Sequence, residues 1–243
     1  MLNVRGLSKK FGDITAVNEV SFNVASGEIF CLIGPNGAGK TTIIKSIVGL
    51  LQGDHGTILV QDKDIAKDPR GAKSLIGYIP DDPSAWPAMT GEEFMHFVGT
   101  LFGMPLSERL SEMKRWLSVF DLEGVEGNYF ENYSRGNKQK FSILAALLHK
   151  PKVLLIDEPI VGLDPVSARK AKELFVEFAK SGGSVLLATH TLTVAEEIGT
   201  MIGVMKQGKL VAEGTMDELR RMAHAPEAAT LEDLYMTLTE SKT

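Results

Sequence analysis

The chain has 243 residues, 44% hydrophobic and 23% charged, which suits one α/β domain with a full core and a smaller attached lobe and excludes a disordered chain. A formal net charge of −5 argues against general attraction to nucleic acid, so no nucleic-acid partner is expected. The longest apolar run, Phe141 to Leu148 with Ser142 tolerated, falls well short of the roughly 18–20 residues that span a bilayer. Met1 to Arg5 lack the apolar stretch of a secretory signal, which makes a cytoplasmic location the expectation. Cys31 is the single cysteine, so no disulfide forms within the chain and the residue reads as core filler.

In chain order, Leu2-Asn3-Val4 and Val20 to Val24 alternate as half-buried antiparallel strands do, whereas Ile29 to Ile33 is continuously apolar, the pattern of a buried central strand. A glycine-rich turn follows, then a predicted helix over about Lys40 to Leu51. From Thr90 to about Leu122 the pattern is helical: Thr90 and Glu93 make a capping box, and Leu106, Leu110, Met113, Leu117 and Phe120 recur at helical spacing. Strand and helix then alternate through Val153 to Asp157, a helix after Pro165, Val185 to Thr189, a helix from about Leu192, and Ile202 to Met205. Gln207-Gly208 predicts a hairpin to Leu210-Val211. In the tail, Leu231, Leu234, Tyr235 and Leu238 share one helical face that is expected to pack on the domain or on a second copy.

Two segments carry chemistry. Gly34 to Thr41 fits G-x-x-x-x-G-K-[ST] between a buried strand and a helix start, where backbone amides and the helix N-terminus cradle phosphates. Lys40 is expected to reach the β- and γ-phosphates, and Thr41 to offer a hydroxyl to magnesium. Asp157 and Glu158 close the apolar run from Val153, with Asp157 as the metal carboxylate and Glu158 as the general base that polarises the attacking water. His190 ends another buried strand, where a structural histidine and a site histidine both fit. His55, His96, His149 and His224 read as ordinary surface or core residues.

The order of these elements resembles the ABC ATPase family over almost the whole chain. Tyr133-Ser134-Arg135-Gly136-Asn137-Lys138-Gln139-Lys140 is similar to the family's signature sequence, Gly162-Leu163-Asp164 to its D-loop, His190 to its switch histidine and Phe11 to its adenine-stacking aromatic. The resemblance implies an α/β fold with a P-loop NTPase (RecA-like) core, an antiparallel β subdomain and a small helical subdomain. On that basis 1–82 and 150–215 form the core with its β subdomain, 83–149 the helical part with the signature, and 216–243 a helical tail, within one ABC ATPase domain.

It further implies ATP and Mg2+ as cofactors, with Glu158, His190 and Lys40 catalytic. Phe11, Asn36, Gly37, Gly39, Lys40, Thr41, Thr42, Ser134, Arg135, Gly136 and Asp164 bind the nucleotide, and Thr41, Asp81 and Asp157 hold the metal. Two cassettes would face head to tail, so that Ser134 and Gly136 of one contact the γ-phosphate held by Lys40 of the other. The pair would be a homodimer, or a heterodimer with a sister cassette, peripheral on the inner face of the membrane through an integral permease.

Four positions depart from the family pattern. Asp81 stands where glutamine is usual, Arg135 replaces the first signature glycine and Asn137 its terminal glutamine, while Phe11 lacks the hydroxyl of the commoner tyrosine. Arg135 and Leu231-Glu232-Asp233-Leu234-Tyr235 resemble single-cassette exporters with separate permease chains, so an exporter motor is expected. A soluble ABC ATPase of DNA repair or translation, and an ATP-binding regulator that does not hydrolyse, are the alternatives. A guanine-specificity reading of Asn137 to Lys140 fails for want of an acid at Lys140.

Overall fold

The computed structural model describes residues 2–83 and 85–240; Met1 of the N-terminal segment, Ser84, and 241–243 of the expected tail lie outside the described residues. Strands β1 (Leu2–Phe11) and β2 (Ile14–Val24) form a hairpin, after which β3 (Ile29–Ile33) leads into α1 (Lys40–Ile47). Strands β4 (His55–Val60) and β5 (Lys63–Asp64) precede α2 (Pro69–Lys73) and β6 (Ile76–Ile79). Helices α3 (Gly91–Leu101), α4 (Leu106–Val119) and α5 (Arg135–Leu148) follow. Alternation then resumes with β7 (Val153–Asp157), α6 (Pro165–Lys180), β8 (Ser184–Thr189), α7 (Leu192–Ile198) and β9 (Met201–Lys206). The chain ends in β10 (Lys209–Gly214), α8 (Met216–Met222) and α9 (Leu231–Glu240).

One sheet is antiparallel in the order β2-β1-β4-β5, and the other has the order β10-β9-β3-β8-β7-β6, parallel except for the β10 hairpin at its edge. The continuous apolar run of β3 is explained by its central place, because a strand covered on both faces has no polar side. Ile29, Cys31 and Ile33 face the cluster that includes α5, α6, α7 and the tail. Phe30 and Leu32 face α1 and the antiparallel sheet, where Phe22 stacks on Phe30 at 5.0 Å. Cys31 is fully buried as expected, and burial pushes its thiol up to about 12, so it stays protonated and inert.

Helix α1 stops at Ile47, short of the expected Leu51. Gly49 adopts φ +71°, and the amides of Leu50 and Leu51 fold back onto the Lys45 carbonyl, which closes the helix while the apolar sequence continues. The Thr90–Glu93 capping box forms at α3 with both reciprocal bonds. The stripe on α4 divides: Met113, Leu117 and Phe120 are buried, whereas Leu106 and Leu110 are about half exposed, because the first turn of α4 overhangs the core.

Helix α5 ends on β6 through His149, whose Nε2 lies 3.0 Å from the Ile76 carbonyl and whose ring stacks on Phe102 at 3.6 Å. Burial lowers this imidazole to about 4, so it is a neutral packing group that locks the α5 end to the strand leading to Asp81. In the tail, Leu231 and Leu234 are fully buried and Tyr235 and Leu238 pack beside them, against the same cluster as α7 and α8. Truncation of Leu234 to alanine is expected to lower unfolding stability by about 2–5 kcal/mol, the usual cost of a buried leucine cavity. Urea denaturation checks this, and a loss under about 1 kcal/mol would show that α9 does not belong to the core.

Candidate nucleotide site

Because β3, β6, β7 and β8 are parallel, their C-terminal ends meet at one edge, the edge at which α/β sheets bind ligands. Ile33 pairs with Thr189, Asp157 with Ala188 and Ile79 with Ile156, so the phosphate loop, the two acids, His190 and Asp81 all leave the sheet on the same side.

The loop from Gly34 to Gly39 turns through Gly37 (φ +81°) and Gly39 (φ +104°) before α1 begins. A side chain at Gly39 would run into the Ala16 carbonyl of β2, so only glycine lets the loop lie this close to the antiparallel sheet. Asn36 and Gly37 form the exposed tip, Thr41 is exposed and Thr42 half-buried in the first turn of α1. The first amides of α1 have no carbonyl within the helix to accept from them, which suits an anion.

Lys40 is buried, and its ammonium donates to the carbonyls of Gly34 at 2.6 Å and Pro35 at 3.1 Å. Burial holds its pKa below the ordinary lysine value, against the opposing pull of Glu158 and Asp157. Asp157 is also buried; burial raises its carboxyl, the Thr41 hydroxyl donating at 3.2 Å lowers it, and the charges of Glu158 and Asp81 raise it again. Each group therefore holds a charge that its surroundings compensate poorly. A cation bound to a phosphate chain would satisfy both, with the phosphates at Lys40 and the cation at the oxygens of Thr41 and Asp157. Hard oxygen donors of this kind fit Mg2+, which also keeps several waters.

Glu158 adopts φ +49°, a conformation that costs a non-glycine residue about 1–3 kcal/mol and is held only where neighbours enforce it. Here the enforcing group is the end of β8. The Glu158 amide donates to the Ala188 carbonyl at 3.0 Å, and its carboxylate takes the Thr189 hydroxyl at 2.9 Å and the His190 amide at 2.8 Å. Nδ1 of the His190 ring stands 2.7 Å from the same carboxylate oxygen. Thr189 is thus a residue that the sequence reading passed over; its position one before His190 at a strand end was the available signal.

Ser134 caps α5, its hydroxyl accepting from the Asn137 amide at 3.2 Å. Within one copy, this turn contacts Asp81 and the 162–164 loop. Arg135 Nη2 lies 3.3 Å from Asp81 Oδ1, and a Cβ built on Gly136 would fall 2.9 Å from the Gly162 carbonyl. Lys140 approaches Asp164 at 3.6 Å, and Asp164 caps α6 through the amides of Val166 and Ser167 and the Ser167 hydroxyl. The Ser167 bonds hold the Asp164 carboxyl down at about 2. Among the described residues, no hydrogen bond or ion pair joins Ser134, Arg135 or Gly136 to Lys40 or Thr41 of the same copy. Phe11 ends β1 opposite Ile14, half exposed, with the Lys9 ammonium 5.6 Å from its ring centre.

A glycine-turned loop between a central parallel strand and a helix, facing an acid on the second strand along, defines a P-loop nucleotide-binding fold. Comparison narrows the class. The model of the ABC transporter family matches residues 17–161. The ABC-type transporter ATP-binding protein EcsA of Bacillus subtilis (strain 168) is 34% identical over 240 residues, covering 99% of this chain and 97% of that protein. The linearmycin resistance ATP-binding protein LnrL of the same organism is 35% identical over 219 residues, 90% of this chain and 70% of its own length. A solved structure of an ATP-binding subunit of an ABC transporter covers 98% of this chain and 99% of that one, at 33% identity and a TM-score of 0.94. The chain belongs to the ABC transporter ATP-binding family, and the expected P-loop α/β fold is correct. No helix among the described residues is long and apolar enough to cross a membrane.

Proposed function

We propose that this chain is the ATP-hydrolysing subunit of a transporter, an exporter, driven by ATP-dependent pairing of two cassettes beneath a separate permease. The observation that carries this function is the junction of Thr41 with Asp157 at 3.2 Å beside the Glu158–His190 pair at 2.7 Å, which brings phosphate loop, metal carboxylate and base to one edge. When bound, Mg2+ would neutralise charge on the phosphate oxygens. Lys40 and the α1 amides hold the chain of phosphates. Glu158 takes a proton from water as the water oxygen bonds to the γ-phosphorus and the bond to the β-bridging oxygen breaks, giving ADP and inorganic phosphate. His190 and Thr189 orient the carboxylate.

Ser134, Arg135, Gly136 and Asp164 serve the nucleotide of the opposite copy, because a helix N-terminus at Ser134 is a second anion site and a phosphate chain between two such termini compensates both. Phe11 serves as the adenine platform. Export is supported by the relative named for linearmycin resistance. Docking of a permease is supported by the exposed Trp86, Phe97 and Leu101 on the helical segment, where Trp86 and Phe97 meet edge to face at 5.2 Å.

Phosphate release by the purified chain with ATP and Mg2+ tests the pairing. Specific activity should rise with protein concentration and then level off; activity that is absent, or constant over a hundred-fold dilution series, contradicts it.

A further inference from the structure

The two charged departures from the family pattern are partners. Asp81, just past β6, and Arg135, in the first turn of α5, lie 54 positions apart in the chain and form an ion pair at 3.3 Å. Arg135 stands where the helix dipole is positive, and no acidic residue occupies that first turn, so the turn lacks an anion of its own. Asp81 supplies one from another element. The arginine stem runs close over Gly162: a Cβ on that residue, itself at φ +89°, would lie 3.1 Å from Arg135 Cδ. The guanidinium thus extends over Gly162 toward Asp81, with Ser134 and the free amides of α5 beside it.

We propose that Asp81 is a built-in competitor for the anion site at the start of α5, engaging Arg135 until the terminal phosphate of ATP on a second copy displaces it. Resting on the paired arrangement proposed above, this makes Asp81 a positioning residue that opposes closure. Closure then requires the exchange of a carboxylate for a phosphate, which carries more charge and more acceptor oxygens. Both side chains of the pair are 54% exposed, so the opposition is small and adjustable rather than a block.

Two measurements test it. In nucleotide-free protein, the NMR signal of the Arg135 guanidinium N–H groups, the atoms that meet Asp81, should shift in Asp81→Asn and return toward its wild-type position in Asp81→Glu; an unchanged signal in all three overturns the contact. In a Glu158→Gln background, the ATP concentration for half-maximal pairing should fall by about two- to five-fold with Asp81→Asn, the range of an exposed ion pair. With Arg135→Gln also present, Asp81→Asn should change nothing. A rise in half-saturating ATP with Asp81→Asn, steepest at low Mg2+, would assign Asp81 to the metal instead and overturn competition. Should the Glu158→Gln parent form no ATP-driven pair at all, the proposed function and the competition step both fall, while the guanidinium NMR measurement still decides the ion pair.

Discussion

Glu158→Gln is expected to cut ATP turnover by about 10²–10⁴-fold while leaving ATP binding in place, the span usual for loss of a positioned general base. The amide has the shape of the carboxylate, so its oxygen can still accept from the His190 amide, now 2.8 Å away, and the strained turn at φ +49° persists. What disappears is the proton acceptor. With hydrolysis stopped but the cradle intact, ATP should accumulate a pair of twice the 26.4 kDa chain mass in gel filtration. Turnover within ten-fold of wild type would remove Glu158 from the base role, and a wild-type-like pairing equilibrium would detach hydrolysis from separation of the cassettes.

Lys40→Ala should weaken ATP binding by about 2–5 kcal/mol, the loss found when one member of a buried hydrogen-bonded charge pair is truncated. In the nucleotide-free protein the ammonium is held by the Gly34 and Pro35 carbonyls, which solvate it without neutralising it, and burial already disfavours its charge. An arriving phosphate therefore gains a cation that has little to give up. Calorimetry reads the effect directly, and an affinity within two-fold of wild type would place the phosphates elsewhere.

The parts of the site that were legible in the sequence are those built from neighbours in the chain. Gly34 to Thr41 and Asp157-Glu158 each combine a buried strand with the residues at its end, so residue type and local order suffice to place them. The Thr90–Glu93 capping box is likewise local. Contacts across the chain were not legible. Asp81 and Arg135 read as separate departures because their meeting depends on how α5 lies over β6, which His149 and Phe102 help to set. Neither the left-handed turn at Glu158 nor the grip of Thr189 follows from residue type, since positive φ is rare for glutamate. The division of the α4 stripe was hidden for a similar reason: helical period names a face but not how far along it the core extends.

The structure of Glu158→Gln bound to ATP and Mg2+ tests the central claim most directly. The hydroxyl of Ser134 and the amide of Gly136 from a second copy should lie about 3 Å from the γ-phosphate oxygens held by Lys40. A nucleotide held at Lys40 with both residues of every neighbouring copy beyond hydrogen-bond reach would contradict it.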